Sequence, residues 1–314
     1  MLRKVVIPVA GLGTRLFPTT KALPKEMLPL GPYPAIQHVV EEMAAANLKK
    51  ILFITSRGKA IIENQFDNNV DVVIHLEQDG RLNDLGDFDY SRRGIEFFYT
   101  RQQVPAGTTK PQGTGAAVAA AESFVDNEHF VVAYGDTIIR STRPPSFIGR
   151  MIEAHLKHNA TCTLGVRHVS PDLVGRYGMV KPVPDEDLKA DSFRIEDVVE
   201  KPAADEAPSS MAVSARYIFG PEIFELLERI PPSEYQLTEA IRGLIRSGHV
   251  VRCVQMLPDE TRYDIGSHES YYKAFIDFAL QDPSCGESIR YYIQACAGGH
   301  PAEAIASNSI TTSS

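Results

Sequence analysis

The first seventy residues alternate between apolar runs and amphipathic segments. Residues 5–9 form a short apolar run rich in β-branched side chains, which predicts a buried strand. A helix is predicted over 34–46, where apolar residues recur at helical spacing: Ile36, Val39, Val40, Met43 and Ala44. A second strand is predicted over 50–55 and a second helix near 58–66. This order of strand, helix, strand, helix indicates an α/β fold with a doubly wound sheet.

The later segments extend this sheet and then change character. Apolar runs predict further strands over 95–99, 130–134, 161–166, 213–219 and 250–256. Short strands with turns near 178–180 and 193–201 predict a small antiparallel extension. We therefore expect a doubly wound, mixed, mainly parallel sheet with helices on both faces plus this extension. We expect one domain over 1–285, with halves at about 1–140 and 141–285, and a C-terminal tail over 286–314.

A glycine-containing loop directly follows the first strand. Gly11 and Gly13 let the backbone approach a ligand closely, and successive N–H groups in such a loop can hold an anion. Arg15 adds a planar cation that suits phosphate oxygens, and Lys21 and Lys25 follow within ten residues. Because ligands of doubly wound sheets bind at the carboxyl ends of strands, this loop predicts a polyphosphate site.

Other interpretations of the loop are an ordinary turn with solvated cations and a dinucleotide fold. A dinucleotide fold requires G-x-G-x-x-G, but Leu16 stands at the third glycine position. Pro18 would also disturb a helix that began at Gly13. The Walker pattern G-x-x-x-x-G-K-[ST] is absent, which excludes a P-loop.

Two further segments carry candidate polar chemistry. Asp136 follows a predicted strand, so its carboxylate would point into the ligand crevice, although Gly-Asp alone is more often a turn. The helix that begins after Gly113 could accept a carbonyl or a phosphate at its N-terminus, or the glycines there could only allow close helix packing. Glu200 and Lys201 end a predicted strand, where two solvated charges would also be ordinary.

Composition narrows the function classes. The net charge of −8 argues against a nucleic-acid surface but not against a nucleotide substrate, for which local cations decide. No apolar run is long enough to span a membrane. The four cysteines show no C-x-x-C pairing, and the first residues predict a strand and no signal peptide, so we expect reduced thiols and a cytoplasmic protein.

The glycine loop and the segment after it resemble one enzyme family. Residues 11–20 read Gly-Leu-Gly-Thr-Arg-Leu-Phe-Pro-Thr-Thr, and residues 24–29 read Pro-Lys-Glu-Met-Leu-Pro. These are similar to the nucleotide loop of the sugar-nucleotide pyrophosphorylases, and among them to bacterial UTP–glucose-1-phosphate uridylyltransferases. Further segments resemble family motifs in the family's order: Tyr177-Gly178-Met179-Val180, Val198-Val199-Glu200-Lys201-Pro202, Ala215-Arg216-Tyr217-Ile218-Phe219, Ser233-Glu234-Tyr235-Gln236-Leu237-Thr238-Glu239-Ala240-Ile241 and Arg262-Tyr263-Asp264-Ile265-Gly266.

This resemblance implies a nucleotide-diphospho-sugar transferase (Rossmann-like) fold and a Mg²⁺-dependent transfer between UTP and glucose 1-phosphate. By position it assigns catalytic roles to Arg15, Lys25 and Lys201, nucleotide binding to Ala10, Gly11, Gly13, Thr14, Gln102 and Gly113, sugar binding to Gly178, Glu200 and Lys201, and Mg²⁺ binding to Asp136 and Asp264. It also implies a homodimer or homotetramer.

Two departures from the family pattern lie on the nucleotide side. Tyr33-Pro34 replaces the family's common Lys-Pro, and the loop after Gln102 is longer than usual, which leaves Gln103 and Gln112 as alternatives for reading the base. A thymidylyl- or cytidylyltransferase on the same fold therefore stays open. A catalytically silent sugar-nucleotide sensor is the alternative from another class, although a sensor has no need to keep all the catalytic cations and Asp136.

Overall fold

A computed structural model of the chain describes residues 2–67, 69–81, 89–104, 113–231 and 236–298. Its strands are β1 Lys4–Pro8, β2 Pro29–Leu30, β3 Tyr33–Pro34, β4 Lys50–Thr55, β5 Glu96–Arg101, β6 Phe130–Ala133, β7 Thr137–Arg140, β8 Cys162–His168, β9 Gly178–Pro182, β10 Phe193–Glu200, β11 Met211–Phe219, β12 Val251–Gln255 and β13 Thr261–Asp264. Its α-helices are α1 Ala35–Ala45, α2 Ala60–Phe66, α3 Val70–Gln78, α4 Thr114–Ala119, α5 Glu122–Val125, α6 Phe147–Lys157, α7 Ile223–Arg229, α8 Leu237–Arg246, α9 His268–Leu280 and α10 Gly286–Ala297.

Nine strands of the described residues form one mixed sheet in the order β5-β4-β1-β6-β11-β8-β12-β10-β9. The pairings are parallel from β5 through β4 and β1 to β6, and between β8 and β12. They are antiparallel on both sides of β11 and from β12 through β10 to β9. As a result, β11 and β10 run against the other seven strands, and the predicted mixed, mainly parallel sheet is confirmed.

Helices cover both faces of this sheet, as a doubly wound fold requires. On β1 the buried side chains alternate: Val5 and Ile7 pack into a cluster with α1, α6 and α9, while Val6 packs into a cluster with α4, α7 and α8. Burial on both sides explains why this strand is a continuous apolar run and does not alternate between apolar and polar residues. It also fixes the strand's carboxyl end, where the glycine loop begins.

The predicted antiparallel extension corresponds to β9 and β10. Both strands continue the main sheet by hydrogen bonding through β12, and β9 also touches β11. A separate two-stranded ribbon, β7 with β13, lies where the chain returns from β12. This ribbon brings residues 137–140 next to residues 261–264, which are more than a hundred positions away in the sequence.

Some local features differ from the sequence predictions. The helix predicted to begin after Gly113 is divided into α4 and α5. Residues 286–297, assigned to a tail, form α10, which packs against α9. The division of the chain at 285 and into two halves stays a prediction. Ser267 caps α9, because its hydroxyl accepts the backbone N–H of Ser270.

The described helices and the cysteines add two simple facts. Among the residues that the structure describes, no helix combines the length and the apolar character needed to cross a membrane. All four cysteines are unpaired: Cys162 and Cys253 are buried, and Cys285 and Cys296 are exposed.

Candidate active site

The glycine loop folds back on itself directly after β1. Gly13 has a φ of 65°, a conformation that side-chain-bearing residues rarely adopt, and a single 3₁₀ turn follows over Thr14–Leu16. The hydroxyl of Thr20 donates to the Gly13 carbonyl at 2.9 Å and holds the turn closed. The loop therefore passes over Lys25, whose ammonium lies 4.0 Å from the place that a Cβ on Gly11 would occupy.

Lys25 forms an ion pair with Asp136. This pair links the segment after the glycine loop to the residues that follow β6. Burial disfavours the charged form of both side chains, but their mutual attraction outweighs it. The pKa of Asp136 lies below its ordinary value, and the pKa of Lys25, which Glu26 also raises, lies above its ordinary value. Both groups are therefore charged near neutral pH.

A second, more deeply buried ion pair lies next to the first. Lys59 donates to Glu26 at 2.9 Å, and the two side chains are almost fully buried. Burial raises the pKa of Glu26 and lowers the pKa of Lys59, each effect partly offset by the partner's charge. Since Glu26 adjoins Lys25 in the chain, this pair fixes the backbone that carries Lys25.

Asp136 reaches the site because the chain passes unusually close to β1. A Cβ on Gly135 would lie 2.6 Å from Val9 Cγ1 and 3.0 Å from Ile36 Cδ1, so only glycine fits there. The turn that follows opens β7, which pairs antiparallel with β13 so that Thr137 faces Asp264. The N–H of Ile265 also donates to the Asp136 carbonyl at 3.1 Å. The two predicted metal carboxylates are thus brought together by backbone pairing.

Asp264 is held by two neighbours of its own, and Arg15 lies near it. Its Oδ1 accepts the Gly266 N–H at 2.8 Å, and its Oδ2 accepts from Arg262 Nη2 at 3.0 Å. Arg15 is close by, because a Cβ on Gly266 would lie 2.7 Å from Asp264 Oδ1 and 2.8 Å from Arg15 Nη2. Arg15 therefore lies beside Asp264, while Lys25 lies beside Asp136.

Two cavities meet at Asp136. One, of about 350 Å³, is lined by predicted nucleotide-side residues: Ala10, Gly11, Lys25, Gln102 and Gly113. The other, of about 330 Å³, is lined by predicted sugar-side residues and Arg15: Gly178, Glu200, Lys201, Asp264 and Arg15. Thr114, Tyr134 and Asp136 line both cavities. Gly13 and Thr14 belong to the glycine loop, but among the described residues they do not line either cavity.

On the nucleotide side, the two residues predicted to read the base contact each other. The Gln102 amide donates to the Gly113 carbonyl at 3.3 Å, and Gln102 is buried against the cavity. Gln103 is exposed, which favours Gln102 between these two. Gln112 lies outside the described residues.

On the sugar side, Glu200 ends β10 opposite Gly178 of β9, and Lys201 follows it. The hydroxyl of Thr238 donates to Glu200 at 2.6 Å, and the Lys201 ammonium lies 3.3 Å from the other carboxylate oxygen. Lys201 has a φ of 45°, a strained backbone of the kind that concentrates at functional sites. Its side chain is 56% exposed, so its ammonium is open to a ligand.

Sequence reasoning missed several residues that line the sugar-side cavity: Arg176, Tyr177, Thr238 and Arg262. The Arg262 side chain is only 10% exposed, and its guanidinium lies 5.7 Å from the Tyr177 ring centre. Thr238 and Arg262 both lie inside segments that resemble family motifs, 233–241 and Arg262 to Gly266, of which residues 233–235 lie outside the described residues. The residue types alone gave no reason to assign them a role.

Comparison with known proteins agrees with this geometry. A family profile described as nucleotidyl transferase matches residues 4–279. A UTP–glucose-1-phosphate uridylyltransferase from Staphylococcus haemolyticus is 35% identical over 93% of this chain and 98% of that protein. The structure of a UDP-glucose pyrophosphorylase from Acinetobacter baumannii is 33% identical, with a TM-score of 0.84 over 94% of this chain and 100% of that one.

A second structure from the same species, described as a UTP-bound UGPase, is 32% identical over 94% of this chain and 99% of that one, with a TM-score of 0.84. The similarity therefore spans nearly the whole chain and includes both cavities. The chain belongs to the nucleotidyl transferase family, in which it is similar over nearly its whole length to UTP–glucose-1-phosphate uridylyltransferases.

Proposed function

We propose that this protein transfers the uridylyl group of UTP to glucose 1-phosphate, forming UDP-glucose and releasing pyrophosphate. The observation that carries the proposal is the meeting of the two cavities at Asp136. One cavity has a glycine loop and a lysine, as a triphosphate requires, and the other has a glutamate and a lysine, as a sugar phosphate requires. The names of the relatives with high coverage support the same reaction.

The reaction is a single in-line displacement. A phosphate oxygen of glucose 1-phosphate forms a bond to the α-phosphorus of UTP, and the bond from that phosphorus to the bridging oxygen breaks. Pyrophosphate leaves with that electron pair. Because the attacking phosphate is already an anion near neutral pH, no side chain needs to remove a proton. The difficulty is to bring two anions together, and positioned cations address it.

Three side chains would supply this positive charge. Lys25, at the nucleotide cavity, would contact the triphosphate and the departing pyrophosphate. Arg15 lies at the sugar-side cavity next to Asp264, from which it would reach phosphate oxygens near the reacting phosphorus. Lys201 would hold the attacking phosphate, while Glu200, oriented by Thr238, would accept bonds from sugar hydroxyls.

Asp136 and Asp264 form a donor set that fits Mg²⁺. The described residues hold no group of three or more metal-ligating side chains, and Mg²⁺ in nucleotide enzymes is usually bound by one or two carboxylates together with substrate phosphates. Both carboxylates line the sugar-side cavity. When bound, Mg²⁺ would neutralise phosphate charge and favour departure of pyrophosphate.

UTP is the nucleotide that the buried Gln102 favours, because a glutamine amide offers the donor and the acceptor that a uracil edge requires. Because the loop after Gln102 is longer than usual in the family, transfer from dTTP or CTP is the second candidate. The sensor is disfavoured, because Arg15, Lys25, Asp136 and Lys201 are all retained at the cavities. A cytoplasmic homodimer or homotetramer remains part of the proposal.

Pyrophosphate release with glucose 1-phosphate, Mg²⁺ and each of UTP, dTTP, CTP, ATP and GTP tests the proposed function. We expect fast release with UTP and slow release with the other four. Release mainly with dTTP or CTP would show that the protein uses another nucleotide in the same type of reaction. Binding of UDP-glucose without release from any nucleotide would contradict an enzymatic role.

Replacing Lys201 with alanine tests the contact to the attacking phosphate. We expect kcat to fall by about 100-fold or more while KM for UTP changes little, because the lost charge acts on the transition state at the sugar side. Lys181→Ala is the matched control. Lys181 of β9 also pairs with a glutamate, Glu196 of β10, but neither residue lines the cavity. Normal turnover in Lys201→Ala would remove this residue from the mechanism.

The charge on Lys25 also predicts a change in pH dependence. Without it, only Arg262 and a backbone hydrogen bond would oppose the effect of burial on Asp136, so the pKa of this carboxyl would rise. The ionised form that binds Mg²⁺ would then be lost at a higher pH as the solution is acidified. We expect the acid limb of kcat/KM to move to higher pH in Lys25→Met and to stay in place in Lys25→Arg. An unmoved limb in Lys25→Met would show that this pair does not control Asp136.

A further inference from the structure

Arg216 is the largest fully buried side chain among the described residues, and the proposed reaction gives it no task. A buried guanidinium is costly unless its donors are paired. Here Nε and Nη2 donate to the two carboxylate oxygens of Glu42 at 3.0 and 2.6 Å. Nη2 also donates to the Thr137 carbonyl at 2.8 Å, and Nη1 donates to the Ala215 carbonyl at 3.3 Å.

The chain bends in order to place this side chain. Within β11 the register shifts between Val213 and Tyr217, and Ala215 has a φ of 56°, which is unfavourable for a residue with a Cβ. Beyond the bend, Arg216 lies on the same face of the sheet as Ile218, the face that α1 covers. Its guanidinium therefore reaches both Glu42 on α1 and the first residue of β7.

The bond to Thr137 connects Arg216 to the two carboxylates. Thr137 directly follows Asp136 in the chain, and its partner across the ribbon of β7 and β13 is Asp264. The guanidinium therefore acts on both carboxylates through the backbone, because it holds the carbonyl at the position from which both are placed.

We propose that Arg216 is a positioning residue: by holding the Thr137 carbonyl, with Glu42 as its counter-charge, it fixes the relative placement of Asp136 and Asp264 and so sets the divalent-ion affinity of the site. This inference rests on the proposed function only in its use of these two carboxylates as the ion's ligands. Lysine cannot replace Arg216, because a single ammonium lacks the fork that bridges a carboxylate and a carbonyl together.

The test measures Mn²⁺ binding by the electron paramagnetic resonance signal of free Mn²⁺, with the non-reacting analogue α,β-methylene-UTP present. In Arg216→Lys we expect the dissociation constant to rise about tenfold, as for other residues that support metal ligands. We expect a parallel fall in kcat/KM for UTP at subsaturating Mg²⁺, because the ion is bound together with the substrate phosphates. Glu42→Asp, which draws the guanidinium back by one methylene, should give a smaller rise and serves if Arg216→Lys does not fold.

Helix α1 offers a matched control at the neighbouring position. Glu41 forms a two-point ion pair with Arg93, at 2.9 and 2.8 Å, that does not reach β7. Glu41→Asp and Arg93→Lys should leave the Mn²⁺ dissociation constant within about twofold of wild type. Thermal unfolding of all four variants separates lost stability from lost affinity.

Two results would overturn the inference. One is an unchanged Mn²⁺ dissociation constant in folded Arg216→Lys and Glu42→Asp, which would leave Arg216 a purely structural residue. The other is a wild-type protein that binds no Mn²⁺ with the analogue although it releases pyrophosphate from UTP. That result would show that the two carboxylates do not bind the ion, while the proposed activity would stand. Absence of that release, with normal Mn²⁺ retention, would overturn the proposed function and leave the inference standing.

Discussion

The pairing of β7 with β13 is the constraint on which the site depends. Asp136 and Asp264 are more than a hundred residues apart in the chain, and the register that sets Thr137 opposite Asp264 brings them together. The pairing is supported from the sheet by Arg216 and from the following turn by the Ile265 N–H, which donates to the Asp136 carbonyl. Backbone hydrogen bonds therefore place the two carboxylates near each other, and no direct contact between their side chains is needed.

The charges of the site come in pairs. Asp136 is paired with Lys25, Asp264 with Arg262, and Glu200 with Lys201. Pairing orients each cation in a partly buried cleft, where an unpaired charge would be costly. Two of these carboxylates, Asp136 and Asp264, are the proposed metal ligands, so binding of a divalent ion and redirection of their paired cations toward phosphate oxygens are coupled. This arrangement supplies electrostatic preorganisation without a general base.

Much of this architecture was predictable from the sequence, because the strands near the N-terminus are continuous apolar runs and the glycine loop has a local pattern. The position of Asp136 was predictable for a similar reason, since it follows the continuous apolar run of β6. Thr238 and Arg262 were not, because their neighbours come from strands that are adjacent in space but not in sequence. The helix over 286–297 was missed because its large apolar residues, such as Tyr291, remain exposed and mark no buried face. Arg216 was noticed as part of a motif, but its purpose depends on a bend in β11 that residue types do not reveal.

The most direct test of this account is the binding of Mn²⁺ with α,β-methylene-UTP to Asp264→Asn compared with Asp136→Asn. Asparagine preserves the size of each side chain and removes only the charge. If backbone pairing makes the two carboxylates one site, each variant should weaken Mn²⁺ binding by more than about tenfold, and the double variant should lose little more than either single one. Wild-type affinity in Asp264→Asn beside a large loss in Asp136→Asn would contradict the shared site and reduce the ribbon of β7 and β13 to a structural role.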